Sequence, residues 1–315
     1  MGKIAIVGCG LVGRAWAISY ASGGKQVVLW DQDAEAPKAA LNYIADILGE
    51  LETHDLLGGS NSDDVLARIT IAISLEEALV DVTHVQENAP EDVEVKRAVF
   101  AQLDKFAPAE ATIASSSSAL LPSTFTENLE GRHRCLVMHP LNPPYLIPAV
   151  EMVPAPWTSD KTIEAAKQLL VDVGHAPIVM KRELDGFVMN RLQGALLEEC
   201  FRLVDKGYAS AEDIDVALRE GLALRWSFMG PFETIDLNAP GGVRDYVARY
   251  GDVYKPVFEQ ANWRADWSGA VLDDIEKDRR SKLPADKLGE RQVWRDKKLI
   301  ALMAHKKQSE KDLGK

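Results

Sequence analysis

A glycine-rich hexapeptide, Gly8-Cys9-Gly10-Leu11-Val12-Gly13, directly follows the apolar run IAIV and precedes a segment with small residues at Ala15 and Ala17. The GxGxxG spacing has a physical use. The first glycine permits a tight turn, the second lets the backbone approach a pyrophosphate, and the third lets a helix pack on a strand. A helix that begins here presents its positive end to phosphates. The pattern predicts a dinucleotide site at Gly8, Gly10, Leu11, Val12 and Gly13.

Asp31 ends the second apolar run, VVLWD, about 20 residues after the glycines, where a carboxylate can accept hydrogen bonds from both hydroxyls of an adenosine ribose. A 2′-phosphate placed beside Asp31 would be repelled, and no arginine follows immediately. Helix capping is the alternative role for Asp31, but Asp33 can serve that role instead. The sequence therefore predicts NAD rather than NADP as the cofactor.

Three further segments place polar side chains at predicted strand ends or at a predicted domain junction, where ligands of open α/β sheets bind. They are ASSSSALLPS (114–123), MHPLNPPYLIPAVEMV (138–153) and DGFVMNR (185–191). Together with the glycine loop and with GLALRWSFMGPFETIDLN (221–238), these strings resemble the short-chain L-3-hydroxyacyl-CoA dehydrogenase family, most closely its lambda-crystallin branch. The resemblance extends over essentially the whole chain and implies an NAD-dependent dehydrogenase.

The resemblance implies roles for individual residues. The family's catalytic histidine and its acidic partner fall on His139 and Glu151. The serine and the asparagine that contact the substrate oxygen fall on Ser118 and Asn190. Four consecutive serines, 115–118, leave the contacting hydroxyl open, although counting back from the histidine without a gap selects Ser118. On the nicotinamide side, the family's acid, lysine and HxxNP asparagine fall on Glu91, Lys96 and Asn142.

These residue types suit the oxidation of a secondary alcohol, which requires departure of hydride from carbon and removal of a proton from oxygen. An imidazole titrates near neutral pH, so His139 is a suitable base. Glu151 would fix the imidazole tautomer and stabilise the imidazolium. Ser118 and Asn190 would hydrogen-bond the oxygen that becomes a carbonyl. The alternatives are a packed or turn histidine and a glutamate that only faces solvent.

The segment after the second strand, residues 33–55, contains Lys38 as its only lysine, no arginine and many carboxylates. Acyl-CoA members of the family have a lysine-rich helical hairpin there, which binds the CoA phosphates. An acidic surface would repel CoA, so we expect a small free 3-hydroxy acid and an activity of the L-gulonate 3-dehydrogenase type. A 3-hydroxyacyl-CoA dehydrogenase, a carnitine 3-dehydrogenase and a catalytically silent crystallin-like NAD-binding protein remain alternatives.

Arg225 and Trp226 lie where acyl-CoA members have a short glycine-rich turn. An arginine binds a carboxylate through two parallel hydrogen bonds, so Arg225 is a candidate anchor for the substrate's acid group. A salt bridge at the surface or between domains is an alternative of equal weight. Trp226 could pack in the core, stack on a substrate, or hold a cationic group by cation–π attraction. The last option keeps a carnitine-type substrate open.

The scaffold for these residues is an α/β fold. Up to about residue 180, short apolar runs alternate with amphipathic ones, which is typical of βαβ units and a mainly parallel sheet. The predicted strands are 3–7, 26–30, 83–86, 111–115, 135–138, 149–153 and 177–180. After Asp185 only long helical patterns follow. We predict a Rossmann-type NAD-binding domain over residues 1–183 and an all-helical substrate and dimerisation domain over residues 184–315, which by resemblance forms a homodimer.

The composition excludes several classes of protein. The chain of 315 residues carries a net charge of −12, which disfavours a nucleic-acid partner. Its three cysteines lie far apart and form neither a disulfide framework nor a zinc site, so we predict no metal and a reducing compartment. No segment has the pattern of a secretory signal or the length of a membrane span. The expected protein is cytoplasmic, binds a small hydroxy acid, and has no membrane partner.

Overall fold

The computed structural model describes residues 2–260 and 267–314. The chain divides into two compact units, one comprising Met1–Met189 with Asp296–Lys315 and the other comprising Asn190–Arg295. The first division lies close to the predicted domain boundary between residues 183 and 184. The end of the last helix groups with the first unit rather than with the second. The predicted boundaries stay predictions.

An eight-stranded sheet in the order β3-β2-β1-β4-β5-β6-β7-β8 forms the centre of the first unit. Neighbouring strands are parallel except for β6 and β7, which are antiparallel. The strands are β1 (Lys3–Val7), β2 (Gln26–Trp30), β3 (Ile69–Ile71), β4 (Val82–Glu87), β5 (Thr112–Ser115), β6 (Cys135–Pro140), β7 (Ala149–Pro154) and β8 (Ala176–Val179). The predicted mainly parallel sheet is confirmed.

All seven predicted strands are present, and their ends differ from the predicted ends by at most two residues. Central strands such as β1 and β2 are nearly continuous apolar runs because both faces of the sheet are covered there. In β1, for example, Ile4 and Ile6 join the core on one face, while Ala5 and Val7 join the core on the other. The prediction missed β3, an edge strand of three residues in which Thr70 and Ile71 are exposed.

Seven helices connect the strands of the first unit. They are α1 (Leu11–Ser22), α2 (Ala36–Thr53), α3 (Ser62–Ala67), α4 (Leu75–Ala78), α5 (Val93–Phe106), α6 (Pro122–Thr126) and α7 (Asp160–Asp172). The helix that follows the glycine loop, α1, buries Trp16 and Tyr20 completely. This packing fixes the position of the glycine loop at the carboxyl end of β1.

The remaining helices are α8 (Met189–Asp205), α9 (Ala211–Ala217), α10 (Ala223–Trp226), α11 (Pro231–Leu237), α12 (Gly242–Gln260), α13 (Gly269–Lys282) and α14 (Leu288–Leu313). No strand occurs in the described part of the chain after β8, so the predicted all-helical C-terminal part is confirmed. A π-helical turn, Leu218–Leu222, joins α9 to α10.

Within residues 2–260 and 267–314, no helix is long and apolar enough to cross a membrane. In the same described ranges, no three His, Cys, Asp or Glu side chains are arranged so that they could hold a metal ion.

Candidate active site

The glycine loop has the geometry that a bound pyrophosphate requires. Gly8 has φ of +92°, a left-handed conformation that favours glycine. A Cβ on Gly13 would lie 1.9 Å from the Gly8 carbonyl oxygen, whereas a Cβ on Gly10 would meet no atom within 4 Å. The open side of Gly10 therefore leaves room for a phosphate at the start of α1, where the first backbone N–H groups of a helix have no partner within it. The residues present fit a dinucleotide.

Asp31 lies beside this loop at the end of β2. Its Oδ2 accepts a hydrogen bond of 2.6 Å from the backbone N–H of Cys9, and its Oδ1 accepts one of 3.0 Å from the N–H of Asp33. Asp33 in turn accepts a hydrogen bond from the N–H of Glu35. The carboxylate of Asp31 is thus fixed next to the glycines, where the ribose of a dinucleotide is expected.

A pocket of about 180 Å³ lies within the first unit. It brings together five of the residues proposed from the sequence, namely Val12, Glu91, Ser118, His139 and Asn142. The other lining residues are Asn88, Ala89, Ser116 and Pro140. Because Val12 belongs to the glycine loop, this pocket adjoins the predicted position of the dinucleotide.

His139 and Glu151 form a buried pair at the wall of this pocket. They lie directly opposite each other on the antiparallel strands β6 and β7, where cross-strand side chains are close neighbours. The His139 Nδ1 atom is 2.7 Å from Glu151 Oε2, and both residues are buried. An ionised carboxylate only accepts hydrogen bonds, so Nδ1 is the donor, and in the neutral imidazole Nε2 carries the lone pair. The arrangement leaves Nε2 as the basic atom.

The second oxygen of Glu151 is also occupied. Glu151 Oε1 accepts hydrogen bonds from the backbone N–H groups of Val188 at 2.6 Å and Met189 at 2.8 Å. Burial by itself would raise the pKa of Glu151, but the hydrogen bonds from His139 and from these two amides outweigh burial and leave the pKa below its ordinary value. The carboxylate therefore stays ionised beside His139 at neutral pH.

Glu91 holds the serine loop that follows β5. Its Oε1 accepts a hydrogen bond of 2.5 Å from Ser117 Oγ, and bonds of 3.0–3.2 Å from the N–H groups of Ser118, Ala119 and Leu120. Burial tends to raise the pKa of Glu91, yet these donors leave it below its ordinary value. One ionised carboxylate thus sets the shape of the loop that carries Ser118.

The four serines occupy different environments. Ser115 and Ser117 are fully buried, whereas Ser116 and Ser118 line the pocket. The Ser116 hydroxyl accepts two hydrogen bonds and donates a third; its partners are Trp16 Nε1, Gln86 Nε2 and Asn88 Oδ1. The Ser116 hydroxyl is therefore engaged by three protein partners. Ser118 also lines the pocket, and its contact with the substrate stays a prediction.

Lys96 lies behind the pocket instead of lining it. Its side chain is 1% exposed and its Nζ is 3.1 Å from both Glu87 oxygens and 3.2 Å from the Ala89 carbonyl oxygen. Burial raises the pKa of Glu87, while Lys96 acts in the opposite direction. Since Ala89 lines the pocket, Lys96 can act on the site by holding that wall. The direct cofactor contact predicted for Lys96 stays a prediction.

Three proposed residues belong to the second unit. Asn190 is the second residue of α8, and Arg225 and Trp226 end α10. Arg225 is exposed, and Trp226 is 42% exposed, so a purely core role for Trp226 is excluded within this chain. Substrate contacts of all three stay predictions.

Sequence reasoning missed several parts of the pocket. Asn88 directly follows β4, so its position at a strand end, like that of Asp31, could have identified it as a candidate. The amides of Val188 and Met189 gave no comparable signal, because every residue but proline carries a backbone N–H. Their contact with Glu151 depends on the turn that precedes α8.

Two family models match consecutive parts of the chain. Residues 3–183 match the model of the 3-hydroxyacyl-CoA dehydrogenase NAD-binding domain, and residues 186–269 match that of the C-terminal domain of the same enzymes. The chain belongs to the 3-hydroxyacyl-CoA dehydrogenase family. This is an NAD-dependent family of hydroxy acid and hydroxyacyl dehydrogenases, and the predicted NAD cofactor is confirmed.

Relatives place the chain in the lambda-crystallin branch of this family, as predicted. It is 40% identical to lambda-crystallin of Oryctolagus cuniculus over 98% of this chain and 97% of that protein. It is 33% identical to an L-carnitine dehydrogenase of Pseudomonas sp over 95% of this chain and 92% of that one. The fold is shared with a solved NAD-dependent dismutase, 5-formyl-3-hydroxy-2-methylpyridine 4-carboxylic acid 5-dehydrogenase, with a TM-score of 0.80, 24% identity and coverage of 96% and 97% of the two chains.

Proposed function

We propose that the protein oxidises the 3-hydroxyl of a small free hydroxy acid with NAD, as an L-gulonate 3-dehydrogenase does. The observation that carries the proposal is the buried His139–Glu151 pair, with a separation of 2.7 Å, at the wall of a pocket that adjoins the glycine loop. An imidazole held by an ionised carboxylate is the arrangement of a general base.

His139 is proposed to take the hydroxyl proton of the substrate on Nε2, since Nδ1 donates to Glu151. Glu151 keeps Nδ1 protonated and stabilises the imidazolium that results. When NAD is bound, it supplies the acceptor for the hydride that leaves the carbon bearing this hydroxyl. Glu151 itself does not exchange the proton, because its amide and imidazole donors favour the ionised form.

The substrate oxygen needs hydrogen-bond donors in addition to a base, because negative charge gathers on it as its proton leaves. Ser118 is proposed as one donor, in a loop whose shape is set by Glu91. Asn190 is proposed as the second on the strength of the family pattern. Glu91 and Asn142 would contact the cofactor from the same pocket.

The charge of α2 supports a free acid rather than an acyl-CoA. This helix contains a single cationic side chain, Lys38, which is ion-paired with Glu35 at 2.8 Å. A CoA ester would bring several negative charges to such a surface and be repelled.

We propose Arg225 as the anchor for the substrate carboxylate, and a homodimer in the cytoplasm as the working form.

Carnitine is the second candidate substrate. Two observations favour it: the relationship to an L-carnitine dehydrogenase and the exposed indole of Trp226, since a tryptophan face binds a quaternary ammonium group. A silent NAD-binding protein is disfavoured because the His139–Glu151 pair is intact.

The test is NADH formation with purified protein and NAD, measured in parallel on L-gulonate, 3-hydroxybutyrate, carnitine and 3-hydroxybutyryl-CoA. We expect activity on a free hydroxy acid and none on the CoA ester. His139→Ala should retain NADH binding and lose at least about 10²-fold in kcat, within the range that a general base contributes. Preference for the CoA ester would refute the substrate proposal, and undiminished turnover by His139→Ala would remove His139 from the mechanism.

A further inference from the structure

Phe187 has an unusual backbone. It has φ of +50° and follows Gly186, whose φ is +75°, so two consecutive residues are left-handed just before α8 begins at Met189. A bulky non-glycine residue is uncommon in this region of the backbone map and persists only where its surroundings hold it there. The surroundings are the protein core, because Phe187 is 0% exposed. A buried phenylalanine held in this conformation beside the His139–Glu151 pair indicates a role in positioning that pair.

The ring of Phe187 contacts the imidazole of His139. The two ring centroids are 5.6 Å apart and the planes are inclined at 58°, within the range of favourable tilted aromatic contacts. Phe187 belongs to the same hydrophobic cluster as Val137 and Val153, which flank the catalytic pair on β6 and β7. The ring is thus held firmly while it covers one side of the imidazole.

The backbone after Phe187 reaches the other member of the pair. The N–H groups of Val188 and Met189 donate to Glu151 Oε1, while Glu151 Oε2 receives Nδ1 of His139. The left-handed turn at residues 186–187 therefore directs two amides at Glu151 at the same time as it directs an aromatic ring at His139. Phe187 and the turn that it forms thus contact both His139 and Glu151.

We propose that Phe187 is a positioning residue for the general base: its ring restricts rotation of the imidazole, and its backbone holds Glu151 ready to accept from Nδ1. A base must place its lone pair within hydrogen-bond reach of the substrate hydroxyl, and displacements of about 1 Å can cost about 10²-fold in rate. The predicted effect on kcat rests on the proposed function, whereas the predicted effect on the orientation of the imidazole does not.

Phe187→Leu tests the ring, because leucine retains bulk and removes the aromatic contact. Phe100→Leu is the matched control, since Phe100 is also 0% exposed and belongs to the same cluster. We expect kcat to fall about 10- to 100-fold for Phe187→Leu with little change in the KM for NAD, and to stay near the wild-type value for Phe100→Leu. Both variants should lose similar amounts of thermal stability. Equal effects of the two variants on kcat would overturn the proposal.

Phe187→Tyr restores a ring at the same place and should recover most of kcat. A tyrosine variant no more active than the leucine variant, while folded, would contradict a role for the ring. Phe187→Ala is informative only about the backbone, because it leaves the left-handed turn occupied by a non-glycine residue and opens a cavity.

Nitrogen-15 NMR of the histidine rings at alkaline pH provides a readout that needs no substrate. His139, assigned by its absence in His139→Gln, should show the shifts of a single tautomer protonated at Nδ1 in the wild type and in Phe100→Leu. Phe187→Leu should shift these signals toward an average of two tautomers. Unchanged His139 signals in Phe187→Leu would refute the proposal even if turnover fell. A changed tautomer in a protein that oxidises none of the tested acids would refute only the proposed function.

Discussion

The two units differ in whether they bury ionisable side chains. The first unit has exposed ion pairs such as Lys38–Glu35, but it also buries three pairs, Lys96–Glu87, Arg134–Asp104 and His139–Glu151. In the described part of the second unit, the pairs between helices lie at the surface, as for Arg279–Asp215 and Lys282–Glu212. Removing one partner of a buried pair leaves an uncompensated charge, whereas an exposed pair contributes little. The same substitution should therefore have very different effects in the two units.

The units also differ in their apolar side chains. Large residues such as Trp16 and Phe100 are completely buried in the first unit. In the second unit, α8 buries none of its residues, and Phe228 and Phe232 are 71% and 78% exposed. Exposed apolar area of this kind marks interaction surfaces, which supports the proposal that the helical part forms a homodimer.

The largest expected effect is that of Glu151→Gln. The amide would donate to His139 Nδ1 instead of accepting from it, so the imidazole would adopt the tautomer with a protonated Nε2 and lose its basic atom. We expect kcat to fall by about 10³-fold, or about 4 kcal/mol, because a comparable change in a hydrolase triad costs about 10⁴-fold. Steady-state kinetics with NADH-binding measurements would separate this from a loss of cofactor affinity.

Glu212→Gln is the control for Glu151→Gln. It removes the carboxylate of an exposed pair with Lys282 in the second unit, so kcat should stay at the wild-type value. A Glu151→Gln enzyme within about 10-fold of wild type would show that His139 does not depend on its carboxylate, since orientation of the tautomer is the main role of such an acid.

Lys96→Met should give the next largest effect, on stability. It leaves Glu87 buried without its cation, and we expect the free energy of unfolding to fall by about 3–5 kcal/mol. Lys282→Met in the second unit should cost under about 1 kcal/mol. Urea denaturation measures both. The double variant Lys96→Met/Glu87→Gln should recover much of the loss, and similar costs for the two lysine variants would abolish the contrast between the units.

Acid should destabilise the first unit through its buried histidines. Burial lowers the pKa of His175 from 6.5 to about 4, although a hydrogen bond to the Pro148 carbonyl opposes this. The unfolded chain then takes up a proton first as the pH falls below about 6.5, so stability declines until the folded form is also protonated near pH 4. The difference in protonation of His175 alone should lower the free energy of unfolding by about 2–3 kcal/mol as the pH falls from about 6.5 to about 4.

His175→Gln should remove this part of the acid sensitivity, measured as the change in unfolding free energy between about pH 7 and about pH 4. His84, whose pKa burial also lowers to about 4, remains in the variant and should keep part of the dependence. His305→Gln at an exposed position controls for removal of a histidine as such. If His175→Gln lost as much stability in acid as the wild type, the acid sensitivity could not be assigned to His175.

The sequence was informative where chemistry depends on side-chain type and strand position. The glycine loop and Asp31 lie at the ends of apolar runs that are buried in the sheet, so the runs and the residues after them could be recognised together. Family resemblance added His139 and Glu151, and the antiparallel register of β6 and β7 explains why these two residues meet.

The parts that escaped prediction depend on tertiary contacts. Resemblance assigned Lys96 to the cofactor side of the site, but its burial against Glu87 was not predicted, because a lysine in an amphipathic helix such as VEVKRAVF usually lies at the surface. The amides that hold Glu151 are presented by the left-handed turn at Phe187. Neither a charge buried by its partner nor a backbone donor aimed by a turn leaves a periodic pattern in the sequence.

The smallest effect should come from Arg225→Ala. This exposed side chain in the second unit is proposed to bind the substrate carboxylate, and loss of an exposed charged contact should raise the KM for L-gulonate by about 10-fold, or about 1.4 kcal/mol, with kcat nearly unchanged. Arg219→Ala, which removes an exposed pair with Glu220 in the same unit, is the matched control. Steady-state kinetics on the acid and on its methyl ester would isolate the carboxylate.

The ester is decisive because it lacks the negative charge that Arg225 is proposed to bind. Arg225→Ala should raise KM for the acid and leave KM for the ester unchanged, whereas Arg219→Ala should alter neither. Equal increases for acid and ester would assign Arg225 a structural role, and an unchanged KM for the acid would refute the anchor. Either result would mean that residues other than Arg225 recognise the charge of the substrate, while Asn190 would remain the proposed substrate contact from the second unit.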